Sequence, residues 1–124
     1  VISMSDIGYD YPEEGVYISK DYYEAYPDKA KAFAAASRRG WEWAHEHPGE
    51  ALEIVLKVME REQIPASRSH QEWMLREVLD LQRAQGASAP DFTLDPDKVK
   101  ELSDLLLRHG RIDNEISIDQ ILGR

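Results

Sequence analysis

"HEHPGEALEIV", from His45 to Val55, gathers two histidines, three glutamates and a glycine in eleven residues. Imidazoles and carboxylates at that density suit a divalent metal, but the spacing decides against it. Residues two apart on a helix point about 200° from one another, so His45 and His47 cannot share one ion. A helical zinc site places its histidines four apart with the glutamate between them. Pro48 also interrupts the helix at once, because the residue before a proline avoids the α region. The segment reads as a corner between two helices. Glu13–Glu14 is the other carboxylate pair, and adjacent residues on a turn diverge into water. No serine or threonine lies in a nucleophile-elbow context, and no glycine-rich phosphate loop occurs. No enzyme activity is therefore expected, and no cofactor or metal.

Tyrosine is the stronger signal. All six, Tyr9, Tyr11, Tyr17, Tyr22, Tyr23 and Tyr26, fall in the first 26 residues, with Asp6 and Asp10 among them. In a turn-rich stretch such rings offer flat apolar faces and hydroxyl handles. Tyr22, Tyr23 and Tyr26 have helix-like spacing and are expected to cover the edge of a helical core.

The elements around these residues follow from periodicity. Val1–Met4 and Val16–Ser19 look like two short strands, the second β-branched and aromatic. Lys20 to Tyr26 suggests one or two helical turns ended by Pro27. Ala30, Phe33, Ala34, Ser37, Gly40, Trp41 and Ala44 then repeat every three or four residues. Gly40 on that stripe predicts close approach of a neighbouring backbone. Leu52, Val55, Leu56 and Met59 mark the next helix, and Trp73, Met74, Val78 and Leu81 the one after, capped by Ser67 or Ser69. Asp95–Pro96 opens a helix with core positions Val99, Leu102, Leu105 and Leu106, stopped at Gly110. A last short helix is expected in "ISIDQIL". The fold class predicted is α/β and helix-rich, with two short strands and about five helices. Two strands cannot cover so many apolar helices, so a third layer or missing partners are implied.

The formal charge of −9 over 124 residues argues against nucleic acid or an anionic membrane as partner. There is no cysteine, which removes disulfides and thiolate chemistry. No run approaches the roughly 20 apolar residues of a membrane span.

Taken together, "YPEEGVYISKDYYEAYPDKAKAFAAASRRGWEWAHEHPGEALEIVL" resembles the later part of the substrate-binding proteins of ABC importers. The branch is the one for nitrate, sulfonates, taurine and thiamine pyrimidine precursors. The resemblance rests on an ordered series: P-x-x-G-x-Y at Pro12–Tyr17, the proline-led helix at Tyr26–Phe33, A-x-x-x-G-W-x-x-A at Ala36–Ala44, and the proline corner at His47–Ala51. "HQEWML" at His70–Leu75 and the final "IDQI" extend it. It implies a periplasmic-binding-protein-like lobe, of which this chain is the C-terminal portion. Residues 1–19 would form a strand and hinge segment and residues 20–124 the helical part of the lobe. It implies a small-molecule ligand captured by hinge closure, a transporter permease as partner, the N-terminal remainder of the same protein, and a periplasmic or lipid-anchored extracytoplasmic location. Asp6, Tyr9 and Tyr11 are the residues it places nearest the ligand. The isolated segment is expected to self-associate through its uncovered apolar surface. Two rival readings are a ligand-sensing module of a signalling protein and a freestanding helical interaction module docking through its tyrosine-rich end.

Overall fold

The computed structural model describes residues 7–9, 11, 15–83 and 88–122. Six helices form among them: α1 (Lys20–Ala25), α2 (Pro27–Glu46), α3 (Pro48–Arg61), α4 (Arg68–Leu81), α5 (Pro96–Arg108) and α6 (Ile118–Ile121).

The described residues contain no strand, which overturns the α/β expectation. Val1–Met4 lies outside the described residues. Val16–Ser19 runs without regular structure and forms no ladder with any described residue, its side chains open to solvent, Tyr17 at 79%. A strand is stabilised only by a neighbour that accepts and donates its ladder hydrogen bonds, and β-branched composition cannot supply one. The end of the segment is instead drawn into the next helix. The Ser19 carbonyl accepts from the Tyr23 amide at 3.0 Å and its hydroxyl from the Tyr22 amide at 3.3 Å. The single β-type pairing described is an isolated antiparallel bridge between Arg83 and Pro90.

The chain divides into two compact units, one of Tyr26–Phe92 and one of Val1–Ala25 with Thr93–Arg124. In the first, α2, α3 and α4 pack around Ala44, Ala51 and Leu79, with Trp43 and Leu75 against them. Prolines set the helix starts. Pro27 and Pro48 both occupy the first turn, where the missing N–H has no partner to lose. His47 is at once the C-cap of α2 and the N-cap of α3. Its amide donates to Trp43 O at 2.8 Å while its carbonyl accepts from Ala51 at 3.0 Å. The chain thus turns the corner without leaving that residue's main chain unbonded. The small side chains of Ala44 and Ala51, either side of the corner, let α2 and α3 come close.

Three sequence expectations about this unit change. On α4 the buried position is Leu79 at 5% exposure, whereas Leu81 is 82% exposed and Trp73 also faces solvent. The stripe runs through Leu75 and Leu79, four apart, and Leu81 sits half a turn away. Gly40 has open space where a side chain would begin, with no atom within 4 Å, so no backbone approaches it. Phe33, on the expected α2 stripe, is 63% exposed.

The end of α3 holds a residue in an unusual conformation. Gln63 has φ of 56°, its amide bonds to Glu60 O at 3.1 Å, and Ile64 N bonds back to Met59 O at 2.8 Å. That is the Schellman arrangement, which favours glycine at this position. A left-handed non-glycine residue costs about 1–2 kcal/mol, partly offset by the greater freedom glycine has when unfolded. Gln63→Gly is therefore expected to stabilise the Tyr26–Phe92 unit by about 0.5–1 kcal/mol, read as a raised urea midpoint with unchanged slope. α5 ends in the same way on a glycine: Gly110 has φ of 62°, and Arg111 N bonds to Leu106 O at 2.9 Å.

In the second unit the Asp95 side chain caps α5 by accepting from Asp97 N at 2.8 Å. Val99 is buried, and so is Ser103, at 2% exposure. The Ser103 hydroxyl accepts from Ile116 N at 2.8 Å and so ties the segment before α6 to α5. Ser117 and Gln120 form a capping box on α6. One turn along α5, the hydrogen bond from Lys100 to Asp104 raises the ammonium's pKa above its ordinary value, with their charge attraction and Glu115 adding to it.

Candidate functional site

The predicted ligand-facing residues lie in the segment before α1. Asp6 lies outside the described residues, as does the Glu13–Glu14 pair. Tyr9 and Tyr11 are brought together. Their ring centroids are 6.4 Å apart and their planes at 79°, an edge-to-face pair. Gly8, with φ of 90°, supplies the backbone turn immediately before Tyr9, a conformation side chains oppose. Tyr9 is half exposed and Tyr11 half buried. Edge-to-face contact favours this arrangement by the attraction of a positive edge for a negative face. Such a pair can stack against a flat solute and offer phenol hydroxyls as donor or acceptor.

The later tyrosines behave differently. Tyr22, Tyr23 and Tyr26 are each between 41% and 48% exposed, so they do not seal a core edge as expected. Lys29 places its ammonium 4.5 Å from the Tyr26 ring centroid, one turn along α2, a cation–π contact.

The histidines of the opening motif go to separate partners. His45 Nε2 lies 3.0 Å from Gln82 Oε1, joining the end of α2 to the end of α4. With the Gln82 amide oxygen facing the ring, the imidazole donates in the tautomer that carries its proton on Nε2. Nδ1 is buried with no hydrogen-bond partner among the described residues. His47 stacks on Trp43 with centroids 5.1 Å apart, and its Nδ1 lies 3.2 Å from Glu50. The segment is the corner between α2 and α3, as the proline in it indicated. Among the described residues no group of three or more metal-ligating side chains converges.

Sequence reasoning did not find the groove in the Tyr26–Phe92 unit. It has a volume of about 170 Å³ and is lined by Trp41, Leu52, Val55, Gln71, Met74, Leu75 and Val78. The signal available was that Met74 and Val78 on one helix and Leu52 and Val55 on the next are each an i, i+3 or i+4 pair. Arg68 and Glu53, 2.6 Å apart and largely exposed, link α3 to α4. Such an exposed pair contributes little stability, about 0–1 kcal/mol.

No described helix is long and apolar enough to cross a membrane. Comparison with curated proteins and with solved structures gives no match to this chain. A family model does match, over less than half of the chain. The stretch begins with the tyrosine pair's segment, runs through α1 and α2 and ends at Ala51, short of "HQEWML" and "IDQI". Residues 1–51 match the family described as NMT1/THI5 like, which on that stretch supports kinship with the binding proteins for nitrate, sulfonates and thiamine precursors.

Proposed function

We propose that this chain is part of the substrate-binding component of an ABC importer. It holds a small solute on the extracytoplasmic side of a membrane and delivers it to a permease. Its role is capture, with no reaction at the bound molecule. The observation that carries this reading is the family match over residues 1–51, which contains the Tyr9–Tyr11 pair.

Two features of the chain support it. Phe33 on α2 and Ile54, Val55 and Val58 on α3 remain solvent-facing, although helices of this kind gain most of their stability by burying such residues. More protein packed against these helices would account for them. The first 19 residues carry acids and tyrosines but no lysine or arginine. The segment's contribution is then an aromatic face and hydroxyls, and the positive charge that a nitrate or sulfonate requires comes from elsewhere in the protein.

The test is calorimetric titration of the native gene product with nitrate, an alkylsulfonate and an aminopyrimidine. Removing both rings, as Tyr9→Ala with Tyr11→Ala, is expected to weaken the solute that binds by about tenfold, through lost stacking and a lost hydrogen bond. Unchanged affinity in that variant would remove the tyrosine pair from the site.

A further inference from the structure

We draw no further inference here: the strongest candidate, the apolar groove between α2, α3 and α4 lined by Trp41, Leu52, Val55, Met74, Leu75 and Val78, carries none because nothing in the structure shows what covers it.

Discussion

Leu79→Ala is expected to destabilise the Tyr26–Phe92 unit by about 2–5 kcal/mol, the range for truncating a buried leucine. The buried cluster there consists of Ala44, Ala51 and Leu79, so Leu79 is its one large side chain. Truncation removes the surface that Trp43 and Leu75 pack against, and two alanines cannot move far enough to refill the space. Stability in small domains amounts to only about 0.05–0.15 kcal/mol per residue. The loss is therefore a large share of what holds α2, α3 and α4 together. Urea unfolding followed by far-ultraviolet circular dichroism is the measurement, with Leu81→Ala as the comparison. Leu81 is 82% exposed, and its truncation is expected to stay within about 0.5 kcal/mol of the parent. Equal losses from the two substitutions would mean that α4 packs in another register.

Ser103→Val is the second large effect, expected at about 1–3 kcal/mol in the other unit. Valine fits a buried helix position in shape but accepts no hydrogen bond. The Ile116 amide, which donates to the Ser103 hydroxyl at 2.8 Å, would lose its acceptor at the buried Ser103 position. Desolvating an unpaired donor costs more than an average hydrogen bond contributes, so the apolar gain of valine does not compensate. The local reading is hydrogen exchange at Ile116, expected to accelerate by roughly tenfold or more on the same free-energy scale. If Ile116 exchanges at the parent rate while the unit is destabilised, the serine acts through packing and not through that bond.

These two positions also show what the sequence could and could not convey. Helix starts were legible because proline and a capping aspartate act locally. Pro27, Pro48 and Asp95–Pro96 each fix a first turn whatever packs around it. The stop at Gly110 was legible for the same reason, whereas the stop at Gln63 was not, since left-handed geometry is there imposed on a residue that does not advertise it. Register is a tertiary matter. Trp73, Met74, Val78 and Leu81 form a plausible apolar stripe, but the small residues of the α2–α3 corner select Leu75 and Leu79 instead. Ser103 lay between the leucines that marked the core, and a polar residue gives no hydrophobic signal even when it is the most deeply buried of its helix. Val16–Ser19 failed for a different reason. Its residue types favour a strand, and strand formation depends on a partner that composition cannot reveal. At the candidate site, the turn at Gly8 follows from the glycine itself, whereas the pairing of Tyr9 with Tyr11 across Asp10 was not readable from the residue types.

Solute capture is tested most directly by thermal unfolding of the native gene product carrying this segment, with and without candidate solutes. A ligand present at about 100 times its dissociation constant stabilises the state that binds it by about 2.7 kcal/mol, which raises the unfolding midpoint by several degrees. The predicted result is a saturable upward shift with one of nitrate, an alkylsulfonate or an aminopyrimidine, diminished in the Tyr9→Ala, Tyr11→Ala variant. A midpoint that none of the three moves at any concentration would contradict the claim.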